Sequence, residues 1–433
     1  MSNLYVAMSK ANITPELGCL LYGYPSVRHA EKVLDSLMVG VLAIKQNDET
    51  VLLIGSDLCA IGVDVNLSLR DAIAKKFDLK TENIILSTTH THSAPVTRTS
   101  AGWGETDMSY LTDVFLKGCF EAVEKSLKSL RPALIAVGKA DCYAGINRRG
   151  VNEKGQVTLS QNPDGPYDPQ LTVVAFKTPE GEFIGSFVHF GAHPTVAGAN
   201  LSLTRDWPGV MIDCVEELTN APSMFINGAE GDVGPRLSNG KTVADEAEIE
   251  VIGKIAAASA KEAILFFGEF KQVELKLITD NLFLPYVEAP SYESVLKDIE
   301  AMGNPDELAA VNITKYSRLQ KIKKIYEEDG VFENGMALNH TVISLGDLAL
   351  VPMPFELFCK ISMGIKEGSP FETTLVLGLA NGSCGYVPTE DQLSLGGYEV
   401  GSFRAATIPG FVDGLDKVIV KENVEFLNKL NKL

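Results

Sequence analysis

Short apolar runs alternate along the chain with longer segments whose apolar residues recur about every three or four positions. The runs predict strands at Val51–Ser56, Asn83–Ser87, Ala133–Gly138, Leu171–Phe176, Phe183–Phe190, Ser223–Ile226, Val273–Phe283, Thr341–Val351 and Thr374–Leu379. The longer segments predict helices over 65–77, 109–129, 208–219, 243–265, 292–328, 355–366 and 415–430. Within 109–129, Leu111, Val114, Phe115, Gly118, Cys119, Ala122 and Val123 fall on one stripe. Strands interleaved with such helices give a mixed α/β fold, β-sheets flanked by α-helices. Segment 291–330 differs: Lys321, Lys323, Lys324, Glu327 and Glu328 surround an apolar face of Leu319, Ile322 and Ile325. It reads as a helical excursion on a single large domain spanning 1–433, because neither a flexible linker nor an internal repeat divides the chain.

Composition narrows the class. With 45% apolar and 22% charged residues in 433, this is the balance of a soluble globular protein. Lys+Arg 38 against Asp+Glu 56 leaves a net charge of −18, which repels nucleic acid and anionic membranes. The charge says little about a small-molecule substrate, which is the expected partner. Met1-Ser2-Asn3-Leu4-Tyr5 has no basic-then-apolar leader and no apolar stretch reaches membrane length, so a cytoplasmic protein is expected. Seven scattered cysteines without a CxxC pair read as reduced core thiols.

Chemistry gathers at strand ends. Four of the six histidines form two pairs, His90-Thr91-His92 and His189…His193, each where a predicted strand runs out. On a strand, residues i and i+2 share a face, so His90 and His92 point the same way. Both could bind one ion, one could bind it beside the substrate, or both could be hydrogen-bonded histidines at a strand end. A second pair in so histidine-poor a chain favours a metal. His189, between Val188 and Phe190, reads as core, and Asp206, before Trp207-Pro208, as a helix N-cap. The loop Asn227–Arg236 carries Glu230 and Asp232 and lacks GK[ST], which argues against a phosphate cradle. Its backbone N–H groups could stabilise an oxyanion, or it is an ordinary tight turn. Glu356, in apolar company at a strand-to-helix corner, needs a cation or metal unless it is a first-turn glutamate favoured by the helix dipole. Gly396-Gly397-Tyr398-Glu399 suggests a close loop.

In this order the pieces resemble the N-terminal catalytic domain of the neutral/alkaline, non-lysosomal ceramidase family. Leu21-Tyr22-Gly23-Tyr24 resembles its early glycine-tyrosine loop, Thr89 to Pro95 its THTHSGP motif, and Ile146-Asn147-Arg148-Arg149 its INRSP motif. Asp168 to Phe176 is similar to a DKDMTLLKF-like strand, and His193 with Asp206 to VHGTS…DNKG. Glu230 to Pro235 is similar to LGDVSP, Pro354-Phe355-Glu356 to PGE, and Tyr398-Glu399 to a late YE. The resemblance implies one Zn²⁺ per chain held by His90, His193, Glu356 and Tyr398, with His92 and Arg148 lining the substrate carbonyl. Such a nitrogen and oxygen donor set with an open place suits catalytic zinc. Gly234 stands where the family has a serine, Glu230 where an apolar residue is usual, and Arg236 where asparagine is usual. The sequence is thus read as a divergent member without that serine and without the family's C-terminal β-sandwich domain.

The expectation is a zinc-dependent hydrolase cleaving an amide (N-acyl) or ester bond by attack of metal-bound water, on a substrate smaller and more polar than ceramide. His92 would shuttle the proton, Arg148 would hold the oxyanion or a substrate carboxylate, and Glu230 would be a general base. Two alternatives stand beside this reading. One is a metal-assisted hydrolase of a carbohydrate derivative with Glu230 and Asp232 as its acid/base pair. The other is a catalytically silent metal-binding protein.

Overall fold

The computed structural model describes residues 3–100, 103–308 and 310–433, and among them three sheets carry the fold. The first contains β1 (Tyr5–Asn12), β2 (Met38–Gln46), β3 (Glu49–Ser56) and β4 (Ile84–Thr88), in the order β4-β3-β2-β1 with the short strand Arg131–Pro132 at the far edge. Alternation along β2 sorts its side chains: Val39, Val41 and Ala43 meet helices α1 (Val63–Phe77) and α2 (Leu116–Lys128), while Leu42 and Ile44 face inward. The second sheet runs β8-β7-β6-β5, from β5 (Leu134–Asp141), β6 (Gln170–Lys177), β7 (Phe183–Phe190) and β8 (Ser223–Asn227). Its outer face is covered by α3 (Asp206–Thr219) and α4 (Glu246–Leu265) through Trp207, Met211, Ile252 and Ala256. The third comprises β9 (Leu275–Pro285), β10 (Gly335–Leu345), β11 (Leu348–Pro352) and β12 (Thr373–Leu377). Between β9 and β10 lie α5 (Tyr292–Met302) and α6 (Ala310–Glu327), which share a small core of Val295, Leu319 and Ile322. Helices α7 (Cys359–Gly368) and α9 (Leu415–Asn431) back this sheet, and α8 (Tyr398–Ala405) lies between them in sequence.

The inner faces of all three sheets share one core. Leu42 and Ile44 from the first, Phe187, Met224 and Ile226 from the second, and Leu350, Leu375 and Leu377 from the third pack together. The mixed α/β expectation therefore holds, with helices on the outer faces. Every predicted strand region contains a strand, but four details differ. The run 341–351 is a hairpin, β10 and β11, turned at Gly346 in the left-handed region (φ 60). Segment 292–328 is two helices rather than one, divided at Gly303 (φ 71) and Pro305. Helix 355–366 begins only at Cys359, so Glu356 is not a first-turn residue; it sits on the short strand Glu356–Leu357, parallel to Tyr386–Val387. Strands β1 and β2 were not anticipated at all. Among the described residues, no helix is long and apolar enough to cross a membrane.

Candidate active site

Three parallel strand pairs, β3 with β4, β7 with β8, and β11 with β12, direct their carboxyl ends to one place. In open α/β sheets that end is where ligands bind, since successive loops converge there. His90 follows β4, His193 follows β7, Glu230 follows β8 and Glu356 follows β11. Hydrogen bonds stitch the ends together: Gly378 N–H donates to Asn227 O (2.9 Å) and Thr88 N–H to Leu379 O (3.3 Å). Asn227, fully buried, donates to Thr89 O (3.0 Å) and accepts from Ala192 and Gly228 N–H (3.3 and 3.0 Å), tying the His90 loop to the His193 loop. Sequence reasoning passed over this residue. Its signal was a polar side chain closing an apolar strand immediately before a glycine.

The donor geometry is compact. Glu356 Oε2 lies 3.3 Å from His90 Nε2 and 3.3 Å from His193 Nε2, and all three residues are buried. Nδ1 of His90 faces Cys59 O at 2.8 Å, and Nδ1 of His193 faces Glu230 O and Val233 O at 2.8 and 3.1 Å. A carbonyl only accepts, so each Nδ1 carries the proton and each Nε2 turns a lone pair toward Glu356. Lone pairs aimed at one carboxylate oxygen repel unless a proton or cation lies between them. Accordingly, His90 is raised well above its ordinary range by Cys59 and Glu356 despite its burial, whereas burial beside Arg148 pushes His193 down to about 3. One proton cannot serve both. A divalent cation can: a tetrahedron with arms of about 2.0 Å has corners about 3.3 Å apart. The residues present fit such an ion. Cys59, His90 and His92 also lie near one another, but Nδ1 of His90, the atom facing the thiol at 3.6 Å, is already bonded to Cys59 O. The His90–His193–Glu356 group is the better site. His90 itself holds a left-handed backbone (φ 72), strain of the kind that collects at functional positions.

The resemblance implied Tyr398 as a donor, but the phenol hydrogen-bonded at His193 is that of Tyr386. Tyr386, buried and in register with Glu356 across the short parallel pair, has its hydroxyl 3.4 Å from His193 Nε2. Tyr398 starts α8 and is 43% exposed, its ring centre 5.7 Å from that of Tyr386 in a T-shaped contact. Arg148 is buried where expected; its Nε donates to Glu399 (3.0 Å) and its Nη2 to the Tyr386 hydroxyl (3.0 Å). Glu399 also accepts from Arg149 Nη1 (2.7 Å), a buried arginine–glutamate–arginine group that sequence reasoning missed.

Three further expectations change. His92 Nε2 lies 3.3 Å from His90 Nε2, but burial and the two neighbouring imidazoles push its pKa well below the ordinary range. It is neutral near pH 7 and unsuited to shuttle protons there. Asp232 spends its carboxylate on structure: Oδ1 accepts from Cys359 N–H (2.7 Å) at the start of α7, and Oδ2 from Asn147 (3.3 Å). That removes it from acid/base work and weakens the carbohydrate reading. Asp206 does not cap α3 in the ordinary way; buried and left-handed (φ 56), it accepts from Val196 and Ala197 N–H (3.2 and 3.0 Å) and fixes the turn after His193. His189 Nε2 donates to Val376 O (2.9 Å) within the core, as expected, and Arg236 lies over the Tyr167 ring. Glu230 is completely buried with neither carboxylate oxygen hydrogen-bonded, and burial together with Glu356 raises it to about 8.

A profile of the neutral/alkaline non-lysosomal ceramidase N-terminal region matches residues 5–261. Neutral ceramidase B of Dictyostelium discoideum is 25% identical over 227 residues, 47% of this chain and 31% of that protein. The chain thus spans less than a third of that curated relative. Among solved structures, neutral ceramidase from Pseudomonas aeruginosa superposes with a TM-score of 0.73 at 18% identity, covering 99% of this chain and 75% of that one. A ceramidase complexed with C2 gives the same TM-score at 17% identity, covering 100% and 76%. Since the profile takes in more than half of the sequence, this chain belongs to the neutral/alkaline non-lysosomal ceramidase family.

Proposed function

We propose that the protein is a zinc-dependent hydrolase of an N-acyl amide or ester, acting on a substrate smaller and more polar than ceramide. The observation that carries this reading is the meeting of His90, His193 and Glu356 at separations of 3.3 Å with both Nδ1 positions already committed. Tyr386, rather than Tyr398, is the fourth donor in this reading. Because the donors come from residues as far apart as 90 and 386, the described chain works as one catalytic unit.

A bound divalent cation would polarise the scissile carbonyl and lower the pKa of a water in an open position to about 7. The chain's own groups do the rest. Arg148, locked by Glu399 and Tyr386, presents a fixed guanidinium to charge developing on the carbonyl oxygen. Neutral His92 orients the substrate through its ring nitrogens. Glu230, with both oxygens uncommitted, is the group beside the donors able to give or take a proton near neutrality.

Metal analysis of purified protein, then a panel of N-acyl and ester substrates with and without chelator, tests the reading. We expect one zinc per chain and turnover that chelation abolishes and zinc restores. Stoichiometric metal with no turnover of any acyl substrate would leave the silent reading; turnover unaffected by chelation would overturn the mechanism.

A further inference from the structure

Each of the three sheets ends in an open edge toward the donor cluster: β4 in the first, β8 in the second and β12 in the third. Edge strands carry unpaired N–H and C=O groups, which need partners once they are buried. Backbone bonds join the third edge to both of the others. Thr88 N–H donates to Leu379 O (3.3 Å), and Gly378 N–H donates to Asn227 O (2.9 Å). Between the first and second edges the link is instead a side chain, that of Asn227, the last residue of β8.

That amide is saturated. Nδ2 donates to Thr89 O (3.0 Å) and Ala192 O (3.4 Å), while Oδ1 accepts from Ala192 N–H (3.3 Å) and Gly228 N–H (3.0 Å). Two donors and two acceptors are all that a carboxamide offers. Thr89 and Ala192 each stand immediately before a histidine of the donor set. The side chain therefore acts as a peptide group inserted between the two sheets, with His90 on one side and His193 on the other. Each histidine is otherwise anchored to its own surroundings. His90 N–H donates to Leu58 O (2.9 Å) and its Nδ1 to Cys59 O (2.8 Å); His193 N–H donates to Val233 O (3.0 Å) and its Nδ1 to Glu230 O (2.8 Å). Asn227 is fully buried, so no water takes over a bond that it loses. Aspartate would keep the two acceptors but turn a carboxylate on two carbonyls.

We propose that Asn227 is a positioning residue that fixes the separation of His90 and His193, so that the donor set is already in place in the metal-free protein. This rests on the zinc reading, and the test separates the two. In metal-free wild type, the Ala192 and Gly228 amides that donate to Asn227 should exchange hydrogen within about tenfold of the amides inside β7 and β8. Exchange at the rate of an exposed loop overturns the inference whatever the variants do. The variants are Asn227→Asp and Asn227→Ser, with Asn423→Ser as control. Asn423 is equally buried and hydrogen-bonded, but it joins β10 to α9. Zinc affinity, from competition with a chromophoric chelator, should fall at least about tenfold in both Asn227 variants and stay within about twofold in Asn423→Ser. The visible bands of the cobalt(II)-loaded protein should shift or weaken in the Asn227 variants alone. Wild-type affinity and bands in folded Asn227→Ser, or equal losses in Asn423→Ser, overturn the inference. A wild type that takes up neither zinc nor cobalt removes the zinc reading instead. Exchange in metal-free Asn227→Ser then decides: faster exchange at residues 89–93 keeps the joint between the sheets, and an unchanged rate removes it.

Discussion

The Tyr386 and Tyr398 rings meet edge to face, yet Tyr386 is the one whose hydroxyl lies within reach of both His193 and Arg148. In the proposed site, removing that oxygen takes away the fourth donor along with the acceptor that fixes Arg148. Tyr386→Phe is therefore expected to weaken zinc binding by on the order of ten- to a hundredfold, while Tyr398→Phe leaves it within about twofold. Competition against a chromophoric chelator measures both, and equal losses would return the fourth position to Tyr398. Gly234 offers a second residue-scale test. A Cβ built there meets nothing closer than Arg148 Cβ at 3.5 Å, and its backbone is outside the left-handed region. Gly234 is buried, so Gly234→Ser should cost no more than about 1–3 kcal/mol for the hydroxyl and leave the fold intact, and turnover measured on the folded protein then reports on the hydroxyl. A large drop in melting temperature would contradict the contact distance of 3.5 Å beside Arg148.

At the scale of elements, the site depends on loops pressed backbone to backbone. Gly231 N–H donates to Leu357 O (2.8 Å), and a Cβ on Gly231 would stand 2.5 Å from Glu356 O and 2.8 Å from Leu357 O. Those atoms are backbone and cannot swing aside, so Gly231→Ala must push the Glu356 strand away from the histidines. We expect a loss of about 1–3 kcal/mol in unfolding free energy together with weaker zinc binding. Stability loss with unchanged zinc affinity would separate the loop from the donor set. The same dependence explains what the sequence could reveal. His90, His193 and Glu356 were legible because each is a polar interruption at the end of an apolar run, a local pattern. Which tyrosine completes the set depends on the pairing of Glu356 with Tyr386, and no local pattern carries that register. Asp232 looked catalytic because its partner, the Cys359 N–H, lies 127 residues away. β2 escaped notice although it is apolar: Gly40 interrupts it, and that glycine is explained only by Met224 of the second sheet, 3.0 Å from where its Cβ would be.

Over the whole molecule, the three sheets share one core and meet at the donor cluster, so occupancy there should act on global stability. Zinc at a thousand times its dissociation constant adds about 4 kcal/mol if it binds only the folded chain, which a thermal melt with and without chelator would register. Acid acts at other points in the same core. His340 shares a hydrogen bond of 2.8 Å with Asn423, joining β10 to α9, and burial pushes its pKa down to about 4; His189, joining β7 to β12, is likewise pushed to about 4. A folded-state pKa below the ordinary value near 6.5 means that the native state holds fewer protons than the unfolded chain. The resulting stability is complete above pH about 6.5 and is lost as pH falls through about 4, at most on the order of 3 kcal/mol for each group. Asp57 and Asp206, raised by burial to about 6, act oppositely: their contribution is present at low pH and fades as pH rises through about 6. The wild-type curve mixes these opposing trends, so a difference between variants is needed to isolate one. His340→Gln keeps an N–H for Asn423 but cannot take up a proton. In excess chelator, urea unfolding should therefore find wild type ahead of His340→Gln by a margin that narrows by about 2 kcal/mol between pH 7 and pH 4.5. A margin independent of pH would mean that His340 protonates equally in the folded and unfolded chain, and that the joint between β10 and α9 is not where acid loosens the third sheet.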